Sequence, residues 1–260
     1  MKSFLRASLA TAKLCLKEKS YFGLINQLAG YLLQAAALGA LLMIWRSLFM
    51  QGADTGGMTL EQLYAYTILS TALAPMLNVR TPVSGWLHDG TLLGLYQRPA
   101  GIFAQLAAHT VGGWGMRLMC LSVPLVVISS ALGVDLRPVS AWFWLSLPLA
   151  VLQGFAVDYL FACLLIRLRN LEWCVHCLRE ALNALFTGSL IPFAALPWGL
   201  GRILQLTPLG TLAGAPLAIC TGLEQPGMLI AAQIVWNIVL WPLALRCFDA
   251  STERMVSYGG

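Results

Sequence analysis

The chain has 260 residues, of which 58% are hydrophobic and only 10% are charged, and its mean hydropathy is +0.75. A soluble domain carries about 25% charged residues, so this composition excludes a soluble globular protein and predicts an integral membrane protein. At about 20 residues for each membrane-spanning helix, the chain has room for roughly six spans with short loops. We therefore expect an all-α integral membrane protein that forms a single transmembrane domain over residues 1–260.

The first segment of the chain is basic and amphipathic. On a helical wheel its cations form one narrow stripe beside a leucine stripe: Lys2, Arg6, Lys13 and Lys17 next to Leu5, Leu9 and Leu16. A helix with this pattern lies flat on the anionic cytoplasmic leaflet. Two interpretations remain open, namely a lever that moves along the membrane and a simple topology signal.

Six apolar runs follow in chain order and predict six spans. They cover about 21–49, 63–83, 106–132, 141–166, a run that starts near 181, and 227–245. The polar run 167–180 (RLRNLEWCVHCLRE) is predicted to be a connection between the fourth and fifth spans. Thirteen of the 16 lysines and arginines fall on one side of this map. Because positively charged loops stay in the cytoplasm, both termini are predicted to be cytoplasmic.

The candidate intramembrane charges are Asp158 and Arg117, of which Arg117 is expected nearer an interface. Asp158 lies nine residues before Arg167, which places it about 13 Å from that end of its helix. Charged groups in a membrane are costly unless they are paired. Asp158 is therefore predicted to form a structural pair with Arg117 or with a polar group of a neighbouring helix, and a contact along a translocation path is the alternative.

The connection after the second span contains a short amphipathic stretch, HDGTLLGLYQRP. Asp89-Gly90 is a turn signal, Thr91 is a candidate N-cap, and Pro99 limits the continuation. The residues between them are mostly apolar: Leu92, Leu93, Leu95 and Tyr96, followed by Arg98. This pattern predicts a helix of about two turns that docks into a groove on a partner. A helix that rests on the lipid headgroups is the alternative.

The run 188–222 is apolar but repeatedly interrupted. The interrupting residues are Pro192, Pro197, Gly201, Pro208 and Gly222. Irregular backbone at membrane depth must be shielded by protein or face a water-filled cavity. We therefore predict a re-entrant helical hairpin between spans 5 and 6 in the outer half of the bilayer, with a proline-kinked helix and a long loop as the alternative.

Enzymatic signatures are weak in this sequence. No Gly-Lys pair is present to build a phosphate-binding loop, and the histidines His88, His109 and His176 are scattered. The CVHC at 174–177 has zinc-like spacing but no second pair of ligands, so we predict neither catalytic residues nor a metal site. A secondary transporter and a membrane-embedded enzyme without an ATPase partner remain the alternative classes.

Three stretches resemble the ABC-2 type permeases, which are membrane subunits of bacterial ATP-binding cassette exporters. They are GSLIPFAALPWGLGRILQLTPLG (188–210), APLAICTG (215–222) and GWLHDGTLLGLYQRPAG (85–101). The resemblance implies a non-catalytic permease in the bacterial inner membrane that pairs with a second permease, identical or homologous. It also implies a separate cytoplasmic ATPase subunit that binds ATP and Mg, and no nucleic acid partner.

The same resemblance suggests roles for two groups of residues. It implies coupling to the ATPase for Asp89, Gly90, Thr91, Leu92, Leu93, Leu95, Tyr96 and Arg98. It implies that the hairpin of Pro192, Pro197, Gly201, Pro208 and Gly222 caps the cavity between two permeases.

Overall fold

The computed structural model describes residues 10, 14, 24–53, 55–88, 91–98, 101–131, 133–168 and 171–258. Within these residues the fold is entirely helical. The helices are α1 Leu24–Met50, α2 Leu60–Ala72, α3 Ala74–Leu77, α4 Val83–His88, α5 Thr91–Leu95, α6 Ile102–Arg117, α7 Val123–Ala131, α8 Phe143–Arg167, α9 Glu172–Phe186, α10 Leu200–Leu204, α11 Gly210–Thr221 and α12 Pro226–Tyr258. The predicted basic helix at the N-terminus lies outside the described residues, apart from residues 10 and 14.

Four helical segments of the described chain are long and apolar enough to cross a membrane. They are Gln27–Met50, Ile102–Ala131, Phe143–Arg167 and Pro226–Ser251. These segments correspond to predicted spans 1, 3, 4 and 6. The second predicted span is divided between α2 and α3, and the fifth corresponds to α9, which has 15 residues. The count of six spans therefore stays a prediction.

Helix α8 is the centre of the bundle. It packs most extensively on α12 and next on α11, and its buried side chains include Phe155, Ala156 and Tyr159. All twelve residues of α11 are buried, although this helix contains Pro216. In contrast, α1 packs on α2 and leaves most of its side chains exposed. The core thus lies between α8, α11 and α12, with α1 at the edge.

A single π-helical turn, Leu118–Ser122, joins α6 to α7. Within it the Val123 amide donates to the Leu118 carbonyl, five residues earlier. Pro124 explains this widening because proline lacks an amide hydrogen and its ring clashes with the carbonyl four residues before it. The long helix therefore continues across the membrane with a local change of register directly after Arg117.

The chain departs from prediction at α9. The run 167–180 was predicted to be a polar connection, but α9 begins at Glu172 and includes the second half of this run. The reason is that Val175, Arg179 and Asn183 recur every four residues and so share one helix face. Val175 and Arg179 are buried. The helix that corresponds to the fifth predicted span therefore begins nine residues before Ala181.

Candidate functional site

The segment α4–α5 folds back onto the helical core. Leu92 and Leu95 are only 1% and 3% exposed. They belong to the same buried cluster as Val83 of α4, Leu106 of α6 and Tyr159 of α8. The two leucines were predicted to dock on a partner, but the structure uses them to hold α5 against its own protein, because their apolar surface is satisfied there.

The opposite face of this segment is open. Tyr96 is 41% exposed, and Gln97 and Arg98 are also exposed. Thr91 is the first residue of α5 rather than its N-cap. Asp89 and Gly90 lie outside the described residues, and the side chain of Leu93 is not among the described side chains. The surface available to a partner here is thus formed by Thr91, Tyr96 and Arg98.

A buried ion pair joins the start of this segment to two helices. Asp158 of α8 is 2% exposed and accepts a hydrogen bond of 2.5 Å from the Nη1 of Arg179 of α9. The same carboxylate accepts bonds from the Thr81 amide at 3.0 Å and the Thr81 hydroxyl at 2.5 Å. The Nη2 of Arg179 donates to the Val79 carbonyl at 2.5 Å, and its guanidinium lies 5.3 Å from the Phe161 ring centroid. We call this group of five residues the clamp: Val79, Thr81, Asp158, Phe161 and Arg179.

The partner of Asp158 is therefore Arg179 rather than Arg117. Asp158 was recognisable in the sequence because it interrupts an apolar run. Arg179 was not, because it lies in the polar run 167–180, which was predicted to be a connection. The four-residue spacing of Val175, Arg179 and Asn183 is the signal that would have identified a helix with one buried face.

Two further contacts reinforce the connection between α3 and α4. Arg80 and Glu180 form an exposed ion pair. The Asn183 side-chain amide donates to the Asn78 side-chain oxygen at 3.0 Å. Residues 78–81, which lead into α4, are consequently held by α8 on one side and by α9 on the other.

The interrupted run is irregular between α9 and α11. Two short 3-10 turns, Phe193–Ala195 and Pro197–Gly199, precede α10. The carbonyls at the break are satisfied by hydroxyls of α2: Tyr66 donates to Gly188 at 2.7 Å and Ser70 donates to Ser189 at 2.5 Å. Because an unpaired carbonyl in an apolar environment is costly, these hydroxyls make the break tolerable inside the protein.

At the second interruption, before α11, side chains of α8 and α12 donate hydrogen bonds to the backbone carbonyls in the same way. Gln153 donates to the Pro208 carbonyl at 2.5 Å and to the Thr211 hydroxyl at 2.8 Å. Trp236 donates from its indole nitrogen to the Leu206 carbonyl at 2.7 Å. Gln233 donates to the Thr211 carbonyl at 3.0 Å. These groups did not stand out in the sequence, since each is an uncharged residue within a largely apolar helix.

Phe193 fixes the position of the interrupted segment by contacting glycines. A Cβ atom placed on Gly214 would lie 2.4 Å from the Phe193 ring, and one on Gly188 would lie 2.7 Å from it. A Cβ on Gly201 would lie 2.0 Å from the Phe193 carbonyl oxygen. The segment is thus closely packed around one aromatic ring, which leaves no room for larger residues.

The other residues predicted for the hairpin take backbone roles. Pro192 precedes the first 3-10 turn and Pro197 begins the second. The Pro208 carbonyl accepts the bond from Gln153. Gly222 ends α11 in the left-handed conformation, with φ of 70°. These residues therefore determine where the backbone turns within the interrupted segment.

A groove lies between α1, α3, α6 and α9. It has two adjoining arms of about 620 and 610 Å³. The first arm is polar and the second is mainly apolar. Arg117, Gln34, Asn78 and Ala74 line both arms.

A family model for ABC-2 family transporter proteins matches residues 35–259. No curated protein and no solved structure matches the chain. The matched region contains every described helix from α2 to α12 and most of α1. The protein therefore belongs to the ABC-2 family of transporter membrane proteins.

Proposed function

We propose that this chain is the permease subunit of an ATP-binding cassette exporter in a bacterial inner membrane. In this proposal both termini face the cytoplasm, and a separate ATPase subunit binds ATP and Mg and drives the movement. A second permease, identical or homologous, completes the translocation path. Membership of the ABC-2 family supports a transport role for the chain.

The observation that carries the coupling assignment is the clamp. Its Thr81 lies two residues before α4, and its other members lie on α8 and α9 or at Val79. A force applied to α4–α5 would reach α8 and α9 through these bonds. The buried leucines of α5 make the segment move as one body with the core. We therefore assign ATPase docking to the exposed face of Thr91, Tyr96 and Arg98.

The test is the double variant Tyr96→Glu with Arg98→Glu. We expect the double variant to insert normally. When it is coexpressed with the ATPase subunit, purified and reconstituted in nanodiscs, it should retain at least tenfold less of that subunit. The matched control is Arg137→Glu, which reverses a charge in the exposed loop between α7 and α8. If the double variant binds the ATPase and exports as well as the control, the docking surface lies elsewhere.

A second permease is expected on the side of α1 and α9. Small residues permit close approach of helices in lipid. Ala40 of α1 and Ala184 of α9 are exposed, whereas Gly188 is buried against Phe193 and so serves internal packing. A Cβ on Gly39 would meet nothing within 4 Å. A single cysteine at position 40 in a cysteine-free background should give a crosslinked dimer, and an active preparation that stays strictly monomeric would contradict this.

In the proposed exporter the interrupted segment is a re-entrant hairpin that caps the outer end of the path. The hydroxyls of Tyr66 and Ser70 support this assignment because they satisfy carbonyls that a straight helix would satisfy itself. Pro192 and Pro197 fix the break and are not expected to touch the transported molecule. Replacing both prolines with alanine should impair export and leave ATPase binding intact.

A further inference from the structure

Arg117 is a cation within a candidate membrane span, and among the described residues no counterion pairs with it. Within the described residues its side chain forms no ion pair or hydrogen bond, and its Nε atom is buried without a partner. At helical rise it lies about 21 Å from the Ala131 end of its segment, inside a membrane-crossing stretch. A charge at such a depth is costly unless something pairs with it, and it marks a functional site by default.

The surroundings of Arg117 keep its positive charge uncompensated. Arg80 and Glu180 also line the groove, but they pair with each other. Asp158 is engaged by Arg179 and Thr81. The groove therefore carries a net positive charge that is centred on Arg117.

Polar side chains line the same arm of the groove as this cation. The Gln34 side-chain oxygen is buried and has no hydrogen-bond partner in the described residues. Tyr31 and Trp114 line the same arm and carry groups able to donate hydrogen bonds. The π turn begins at the residue after Arg117, and π turns within α-helices are frequent at functional sites.

The second arm of the groove has a different character. Its apolar lining comes mainly from α1, with Ala37, Leu41 and Ile44, and from Leu190 after α9, whereas Glu180 and Asn183 of α9 are polar. Arg117 stands where the two arms meet. The groove thus offers a cation with polar neighbours at one end and an apolar channel at the other.

We propose that this groove binds an amphiphile with one anionic head group and an apolar tail, the head on Arg117 and the tail along the apolar side chains of α1. This proposal rests on the transport function above, because it names the chemical class of the transported molecule. Charge-assisted hydrogen bonds from an arginine to a carboxylate or phosphate are about twice as strong as neutral ones. A free anion would leave the apolar arm without a partner.

Quenching of tryptophan fluorescence tests the proposal on the purified chain alone, in phosphatidylcholine nanodiscs. The probe is 9,10-dibromostearate, whose bromines quench nearby indoles, and its methyl ester has the same tail without the charge. We expect saturable quenching by the acid and at least tenfold weaker binding of the ester. Leu41→Trp should add to the saturable component, since Leu41 lines the apolar arm that holds the brominated middle of the tail.

Variants of the arginine identify the head-group contact. Arg117→Gln should weaken binding of the acid by roughly tenfold to a hundredfold, the effect expected for loss of a charged hydrogen bond. Arg117→Lys should keep most of the affinity. The matched control, Arg46→Gln, removes an exposed charge from α1 outside the groove and should change nothing.

Two further measurements keep the proposal falsifiable. If Arg117→Gln does not fold, Ala37→Phe narrows the apolar arm and should abolish saturable quenching. Millimolar inorganic phosphate should not compete with the acid. Equal binding of acid and ester, an unchanged Kd in Arg117→Gln or Ala37→Phe, or effective competition by phosphate would overturn the proposal. None of these outcomes depends on an ATPase, so they are separate from a failure of the transport function.

Discussion

Breaking the buried pair of the clamp should be far more damaging than breaking the exposed pair beside it. Arg179 and Glu180 are neighbours on α9, yet Arg179 is buried against Asp158 whereas Glu180 pairs with Arg80 at the surface. Removing one partner of a buried pair costs about 3–5 kcal/mol because it leaves an uncompensated buried charge. Removing one partner of an exposed pair costs about 0–1 kcal/mol.

Arg179→Met should therefore lower the folded-to-unfolded ratio by about two to four powers of ten, at roughly 1.4 kcal/mol for each. Glu180→Gln should change it by less than one power. Asp158→Asn keeps an oxygen that can accept from Thr81 but leaves Arg179 without a counterion. The double variant Asp158→Asn with Arg179→Met should recover part of the loss, since no buried charge remains.

The assay is reversible unfolding in mixed micelles with increasing dodecyl sulfate, followed by circular dichroism. A double-mutant cycle on Asp158 and Arg179 gives their coupling energy directly. The same cycle on Arg80 and Glu180 is the control. If the two cycles give the same coupling energy, or if Asp158→Asn is neutral, then Asp158 and Arg179 do not form the clamp described above.

The remaining predictions concern the interrupted segment and the topology. Gly214→Ala should destabilise the protein by about 1–3 kcal/mol in the same assay, because its Cβ would overlap the Phe193 ring, whereas Gly39→Ala should be nearly neutral. Tyr66→Phe should cost about 1–3 kcal/mol, since it leaves a buried carbonyl unpaired; an unchanged midpoint would mean that water replaces the hydroxyl. Short epitope insertions at Gly52 and Gly133, which have open space around them, should be labelled from outside intact cells, and labelling only after permeabilisation would reverse the proposed orientation.

Sequence patterns identified the four long apolar helices and missed the contacts that connect them to the rest of the fold. Four long apolar runs were recognisable because lipid requires about 20 apolar residues in succession. Asp158 stood out for the same reason. Its partner Arg179 did not stand out, because it lies in a polar, amphipathic stretch in which it is one of several charged residues.

For the interrupted segment and for α5, the sequence likewise indicated the local structure but not the contacts with the rest of the protein. Proline and glycine indicated an interruption after α9, but not that Tyr66 and Ser70 would complete it from a helix more than a hundred residues earlier. The apolar face of α5 indicated a surface that needs a partner. It did not indicate that the partner is the chain's own core, because that depends on how α4 and α5 fold back on α6 and α8.

The π turn lets the long helix absorb one extra residue beside Arg117 without changing the direction of its faces. A bond from Val123 back to Leu118 spans one residue more than an α-helical bond, so the turn amounts to a one-residue insertion in an otherwise regular helix. Because the widened turn takes up that residue, α6 and α7 keep nearly the faces that they would have in an unbroken α-helix. Deleting one residue from this turn should therefore restore a regular α-helix and leave Arg117 facing the groove. A residue inserted elsewhere in α6, with no such turn to absorb it, would instead rotate the helix beyond it by about 100°, the angle of one residue at 3.6 residues per turn.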